Sequence, residues 1–335
     1  MSPTRTIGTA TFSAIGFGAM GISAFYGEVD SDEERFKVLD AAHAAGCTFW
    51  DTADIYADSE ELLGKWFKRT GKRADIFLST KFGMRPDMSV NGTPEYVRQA
   101  AESSLTKLGV ETIDMYYLHR ADPKTPIEMT VGAMAELVKA GKVKHLGLSE
   151  VSASTLRRAH AVHPIAAVQV EYSPFTLDIE DPKINLLATA RELGVKIVAY
   201  SPLGRGLLTG QYKSPDDFDD NDFRKFIARY NHENFPNILK LADGLKEIGS
   251  VKYGGATGGQ VALAWLLAQG DDVIPIPGTK KIKYLHENLA ALKLTLSPED
   301  VQAVRDVAAK ADAAQGERYP EAMAAQMFIE TPALA

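Results

Sequence analysis

The sequence is short of the features that mark secreted, nucleic-acid-binding and membrane-spanning proteins. Its single cysteine, Cys47, excludes an internal disulfide and is typical of a reducing compartment, so we predict a cytoplasmic location. Asp and Glu outnumber Lys and Arg by 44 to 37, and this acidic balance argues against nucleic acid as a partner. No stretch approaches the roughly 18 apolar residues of a membrane span, and the N-terminus lacks an apolar run of secretory length. We therefore expect a soluble protein that binds neither nucleic acid nor membrane.

What the sequence does contain is a regular alternation of short apolar runs with longer amphipathic segments. The longer segments carry helix signals, such as the N-cap Ser31 with Glu34 at the capping-box position. The short runs are rich in β-branched and aromatic residues and predict eight strands: Ala14 to Phe17, Thr48 to Trp50, Ile76 to Thr80, Ile113 to Leu118, Lys144 to Leu148, Ala166 to Val170, Lys196 to Ala199 and Val273 to Ile276. Strands that alternate with helices predict a parallel sheet with right-handed crossovers.

Eight such units without an intervening linker predict a (β/α)8 barrel, in the α/β class, formed by one domain over residues 1–335. A hairpin from Thr4 to Ser13 precedes the first barrel strand, and we expect it at the barrel floor. The long segment Gly204 to Phe235 follows the seventh strand and should overhang the active face, since loops of this length are usually functional or disordered. We expect the tail, Gly316 to Ala335, to fold back over a pocket through Tyr319.

Three glycines near the first strand resemble a dinucleotide-binding fingerprint. Gly16, Gly18 and Gly21 satisfy the pattern G-x-G-x-x-G. In a Rossmann fold the helix opens inside that motif, whereas here the next predicted helix begins only at Ser31. We therefore interpret these glycines as a tight loop beside a ligand.

Four residues that can hold or transfer a proton fall at the predicted carboxyl ends of consecutive strands. Asp51 ends the second strand and Tyr56 follows it, while Lys81 and His119 end the third and fourth strands. Singly, each has an ordinary structural explanation, such as a capped turn or a loop histidine. Barrel enzymes place their chemistry at this rim, so we predict that the four form one catalytic site. The strands carry no His-x-His pair and the chain has no cysteine cluster, so we predict no metal site.

With these motifs in place, the sequence resembles the aldo-keto reductase family, specifically its single-domain NADP-linked microbial and plant branch. The resemblance runs from about Gly16 to Tyr319 and rests on DTADIY, STKF, YLHR, GLSE, QVEYSP, YSPLGRG and IPGTKKIKYLHEN. It implies that Tyr56 is the proton donor and that Lys81 lowers its pKa. It further implies that Asp51 pairs with Lys81 and that His119 orients the substrate oxygen.

The same resemblance implies NADP(H) as the cofactor. Tyr200 corresponds to the family's stacking aromatic residue, Lys280 faces the 2′-phosphate, and Tyr284 stands where the family often has Arg. Glu150 stands where the family often has Asn, and the resemblance assigns it no role. The implied cofactor-binding residues are Gly18, Met20, Asp51, Ser149, Gln169, Tyr200, Ser201, Leu203, Gly204, Gly206, Arg224, Gly278, Thr279, Lys280, Tyr284, Glu287 and Asn288.

These implications favour an NADPH-dependent reductase of aldehydes and some ketones, with alcohol dehydrogenase (NADP+)-type activity. The alternative is a nucleotide-binding regulatory subunit that resembles the potassium-channel β subunits, because fold alone does not separate the two. We expect the partner to be a small carbonyl compound, and the protein to be a monomer or a small homo-oligomer. Pocket walls are expected from Phe25, Tyr26, Phe82, Met84 and Arg85.

Overall fold

The computed structural model describes residues 3–220 and 222–334. An N-terminal hairpin pairs β1 (Thr4–Ile7) with β2 (Ala10–Ser13) in antiparallel register. The following strands form an eight-stranded parallel sheet in sequential order: β3 (Phe17–Gly18), β4 (Phe49–Asp51), β5 (Phe77–Phe82), β6 (Ile113–Leu118), β7 (Val143–Ser149), β8 (Ile165–Glu171), β9 (Lys196–Tyr200) and β10 (Val273–Pro275).

Helices lie between the strands and after the last one. In chain order they are α1 (Met20–Ser23), α2 (Asp32–Ala44), α3 (Ser59–Thr70), α4 (Pro94–Leu108), α5 (Ile127–Lys139), α6 (Ala153–Val162), α7 (Leu186–Glu192), α8 (Phe235–Lys252), α9 (Gly258–Ala268), α10 (Ile282–Ala290), α11 (Pro298–Ala311) and α12 (Glu321–Ala324). The Ser31 hydroxyl accepts from the Glu34 N–H at the start of α2, as the capping pattern predicts. Within the described residues, no helix combines the length and apolar character that crossing a membrane requires.

Two backbone hydrogen bonds join the edges of the sheet. The Gly16 N–H donates to the Pro275 carbonyl at 2.9 Å, and the Gly18 N–H donates to the Pro277 carbonyl at 3.2 Å. The last strand therefore returns to the first, which confirms the predicted (β/α)8 barrel and excludes an open Rossmann sheet. Glycine is required at this seam because a Cβ on Gly278 would lie 2.5 Å from the Gly18 carbonyl oxygen.

We expect Gly278→Ala to lower the free energy of unfolding by about 1 to 3 kcal/mol, because the added methyl group overpacks the seam against backbone. Chemical denaturation measures this loss. Gly132→Ala is the matched control, since it lies inside α5 with nothing within 4 Å of the added carbon. That variant should be stabilised by about 0.5 to 1 kcal/mol through helix propensity. Equal changes in unfolding free energy for the two variants would contradict the close approach of Gly278 to the Gly18 carbonyl.

The hairpin closes the barrel at the end where the strands begin. Ile7 and Phe12 belong to the same buried cluster as Phe49 and Phe77, the first residues of β4 and β5. The Phe12 ring centroid lies 4.9 Å from that of Phe49 and 5.0 Å from that of Phe77. This placement confirms the expected floor and leaves the opposite end of the barrel for the predicted site.

The structure differs from the sequence predictions in three places. The first barrel strand is Phe17–Gly18 and not Ala14 to Phe17, because the preceding residues lead from the hairpin into the seam. The segment after it contains the one-turn helix α1, which apolar periodicity does not predict in so short a stretch. The predicted irregular segment 204–235 contains short 3₁₀ helices and ends at the start of α8; Asn221 lies outside the described residues.

Candidate active site

Side-chain alternation along β5 directs a lysine into the barrel. Ser79 and Lys81 face the interior, whereas Thr80 faces outward and donates to Glu60 on α3. Lys81 is completely buried; its ammonium group pairs with the Asp51 carboxylate and donates to the Thr52 carbonyl at 2.7 Å. A buried cation needs such partners to keep its charge. The ion pair therefore fixes Lys81 as a charged group inside the barrel.

The second carboxylate oxygen of Asp51 is held from two other strands. It accepts from the Ser79 hydroxyl at 2.7 Å and from the Gln169 amide at 2.9 Å. Asp51 thus connects β4, β5 and β8 at the rim. These bonds restrict the carboxylate to one orientation, with its other oxygen on Lys81.

Tyr56 lies in the loop after β4 and reaches the same ion pair. The loop is anchored because the Asp54 N–H donates to the Lys81 carbonyl at 3.0 Å. The Lys81 ammonium group lies 3.5 Å from the Tyr56 hydroxyl, and the His119 ring packs edge-on at 5.7 Å between ring centroids. The structure therefore brings all four predicted catalytic residues together.

Burial dominates the protonation behaviour of this group. It raises the pKa of Tyr56, and the positive charge of Lys81 opposes that rise without reversing it. The predicted lowering by Lys81 is therefore present, but desolvation of the phenolate outweighs it. Burial, helped by Arg120 and Lys81, holds the pKa of His119 well below its usual range, so the imidazole is neutral.

Tyr200 ends β9 and lies half-buried on the apolar cluster that fills the barrel. Its hydroxyl donates to Glu150 Oε1 at 2.8 Å and lies 2.9 Å from the Tyr319 hydroxyl in the C-terminal tail. Two other implied cofactor-binding residues lie near the ends of neighbouring strands: the Ser149 hydroxyl accepts from Arg120, and Gln169 donates to Asp51. Tyr200 is partly buried against the barrel core, which suits it to act as a stacking platform.

The turn after β9 has the backbone shape of an anion cradle. Ser201, Gly204, Arg205 and Gly206 all adopt positive φ, which directs successive backbone groups into a tight loop with Leu203 among them. Arg224, which is among the implied cofactor-binding residues, lies beside this turn and donates to the Arg205 carbonyl at 2.9 Å. Asp222 pairs with Arg224 at 2.6 Å, so Arg224 is held in place.

The predicted adenosine-binding segment follows β10. The Lys280 ammonium group donates to the Tyr26 and Glu28 carbonyls of the loop after α1, whereas Tyr284 on α10 is partly exposed. Farther along α10, Glu287 accepts from the Thr257 hydroxyl at 2.8 Å and Asn288 is buried. Thr279 accepts from the Lys281 N–H, and Gly18 and Gly278 meet at the barrel seam, beside Met20 at the start of α1.

The residues present fit an anionic dinucleotide. Arg224 beside the turn at Gly204 and Gly206, and Lys280 after β10, place positive charge near the carboxyl ends of β9 and β10. Among the described residues, no three His, Cys, Asp or Glu side chains are grouped to hold a metal ion.

One cluster of charged residues at the site was not predicted. Glu150 and Glu171 are fully buried carboxylates at neighbouring strand ends, and Arg318 in the tail pairs with both. Glu150 directly follows GLS and Glu171 directly precedes YSP, so the sequence indicated that both lie at strand ends. It did not indicate that they pair with Arg318. The prediction that Phe82 lines the pocket is wrong, because Phe82 stacks on Tyr116 outside the barrel. Side chains alternate along a strand, so the residue after the inward-facing Lys81 must face outward.

Comparisons with known proteins agree with this geometry. Residues 14–309 match the model of the Aldo/keto reductase family. The chain is 64% identical over 337 residues to Aldo-keto reductase str7 of Strobilurus tenacellus, which covers 99% of this chain and 98% of that protein. It is 50% identical to the NADP(+)-linked Aldo-keto reductase yakc of Schizosaccharomyces pombe, with 98% of each chain covered. The structure of a glycerol dehydrogenase from Gluconobacter oxydans is similar with a TM-score of 0.83, 27% identity, and coverage of 94% of this chain and 98% of that one.

Proposed function

Since this chain belongs to the aldo-keto reductase family and is an oxidoreductase, we propose that it uses NADPH to reduce aldehydes and some ketones to alcohols. The observation that carries the proposal is the buried Asp51–Lys81 pair with the Tyr56 hydroxyl 3.5 Å from the lysine. We further propose one domain over residues 1–335, a cytoplasmic location, and a monomer or small homo-oligomer.

Each residue of the group has a distinct task in this reaction. When bound, the reduced nucleotide supplies the hydride that converts the carbonyl group to an alkoxide. Tyr56 gives its proton to the carbonyl oxygen, and Lys81 stabilises the phenolate that remains. Asp51 keeps Lys81 charged, and the neutral imidazole of His119 orients the oxygen by donating a hydrogen bond.

NADPH oxidation measured with a panel of aldehydes tests this function. Turnover of at least one carbonyl compound is the expected result. Tight NADPH binding without turnover of any carbonyl compound would overturn the proposed enzymatic activity. It would favour the alternative, a nucleotide-binding regulatory subunit similar to the potassium-channel β subunits.

Cofactor preference gives a second test. We expect the wild type to prefer NADPH over NADH by at least about tenfold, since one charge contact to the 2′-phosphate is worth roughly 1.5 to 3 kcal/mol. Lys280→Ala should erase most of that preference by weakening NADPH while sparing NADH, as measured by the Kd of each nucleotide. Lys283→Ala is the matched control, because this exposed lysine lies three residues onward, in the first turn of α10.

Equal weakening of both nucleotides in Lys280→Ala would show a different role for Lys280. It would then act only by bonding the Tyr26 and Glu28 carbonyls and holding their loop. A wild type that prefers NADH would refute the assignment of the 2′-phosphate contact.

A further inference from the structure

Glu150 is a buried carboxylate at the rim that has no part in the proposed proton transfer. It follows β7 directly, is completely buried and has a φ of 51°, a left-handed conformation that is rare outside glycine. Its Oε1 atom accepts from the Tyr200 hydroxyl at 2.8 Å and from the Glu171 N–H at 3.1 Å. The carboxylate is thus bonded directly to the residue proposed to stack on the nicotinamide.

The positive charge near Glu150 is shared among several carboxylates. Oε2 of Glu150 has no hydrogen-bond partner among the described residues, and its nearest cation, Arg318, is 3.7 Å away. Arg318 lies closer to Glu171, at 3.2 Å, and to Asp178, at 2.7 Å. Arg205 also faces Glu171, at 3.7 Å. Buried Arg120 also acts on Glu150 through its charge. Glu150 therefore belongs to a mixed cluster of arginines and carboxylates, and a neutral residue in its place would make that cluster more positive.

We propose that Glu150 is a positioning residue whose negative charge makes this site bind the oxidised nucleotide more tightly, relative to the reduced one, than a neutral residue would. The inference rests on the proposed function, in which Tyr200 stacks on the nicotinamide. The nicotinamide ring carries a positive charge in NADP+ and none in NADPH. A fixed carboxylate on the phenol of the platform attracts only the charged ring.

This effect changes a ratio and not the overall affinity. The two nucleotides carry the same phosphates, ribose groups and adenine, so contacts to those parts cancel in the ratio of their Kd values. Unit charges several ångströms apart in a partly buried site interact strongly enough to change that ratio by about tenfold. The same charge favours NADP+ and alcohol over NADPH and carbonyl on the enzyme, which is the direction of reduction.

Isothermal titration of NADP+ and NADPH into the intact protein tests the proposal. We expect Glu150→Gln to raise the Kd of NADP+ by about tenfold and to leave the Kd of NADPH within about twofold of the wild-type value. Glu150→Asp keeps the charge and should keep the wild-type ratio. Asp178→Asn is the matched control: it removes another carboxylate from Arg318, one that is partly exposed and has no contact with Tyr200, and should change the ratio by less than twofold.

Arg318→Gln gives an independent measurement with the opposite sign. It removes positive charge beside Glu150, so the ratio should shift toward NADP+, and this result does not depend on the folding of Glu150→Gln. Equal weakening of both nucleotides by Glu150→Gln, or a shift of Arg318→Gln toward NADPH, would overturn the inference. Failure of the wild type to bind either nucleotide would instead overturn the proposed function.

Discussion

We expect Tyr56→Phe to lower kcat for carbonyl reduction by at least about 10²-fold while the Kd of NADPH stays within a few-fold. The Tyr56 phenol lies 3.5 Å from Lys81, whereas the Asp51 carboxylate is an acceptor whose oxygens already bind Lys81, Ser79 and Gln169. A general acid in this position contributes about 10² to 10⁴ to the rate. Steady-state kinetics with a reactive aldehyde, alongside nucleotide titration, measures both quantities.

Tyr116→Phe is the matched control for the loss of a buried phenol. Tyr116 is also fully buried, but it stacks on Phe82 outside the barrel, away from Asp51 and Lys81. Its removal should leave kcat unchanged. Near-wild-type turnover by Tyr56→Phe would show that Tyr56 is not the proton donor, and a similar loss in both variants would point to general damage to the fold.

The βα rhythm was sufficient to predict where the candidate site lies. Parallel strands end at one rim, so assigning Asp51, Lys81 and His119 to consecutive strand ends already placed them together. The strand at Phe17–Gly18 was misplaced, because two paired residues leave little periodicity to detect. Alternation along β5 could also have shown that Phe82 faces away from the pocket.

The charge pairs of the rim could not be predicted in the same way. Glu150 meets Arg318 only because the tail folds back across the barrel, where Ile329 pairs with Val151 in a parallel bridge. No local pattern links such distant positions. The net pKa shift of Tyr56 was out of reach for a related reason. The sequence shows that Lys81 lowers this pKa, but the depth of burial, which dominates, depends on the whole fold.

The second large effect concerns the cation. We expect Lys81→Met to reduce kcat by about 10²-fold or more, because it removes the charge that stabilises the Tyr56 phenolate. That charge also counteracts the rise that burial causes in the pKa of Tyr56. Loss of that charge raises the pKa of Tyr56 further. In the oxidative direction Tyr56 must first lose its proton, so the rise of alcohol oxidation with pH should move to higher pH. The pH profile of kcat measures this shift.

Lys81→Met should also destabilise the protein, and a double variant separates the two effects. The substitution leaves the buried Asp51 without its cation, and breaking a buried pair costs about 3 to 5 kcal/mol. Asp51→Asn combined with Lys81→Met removes both charges, while the Asn oxygen still accepts from Ser79. The double variant should therefore regain most of the lost unfolding free energy in chemical denaturation but none of the lost kcat. Recovery of activity together with stability would mean that Lys81 only supports the fold, and an increase of KM alone in Lys81→Met would exclude its action on Tyr56.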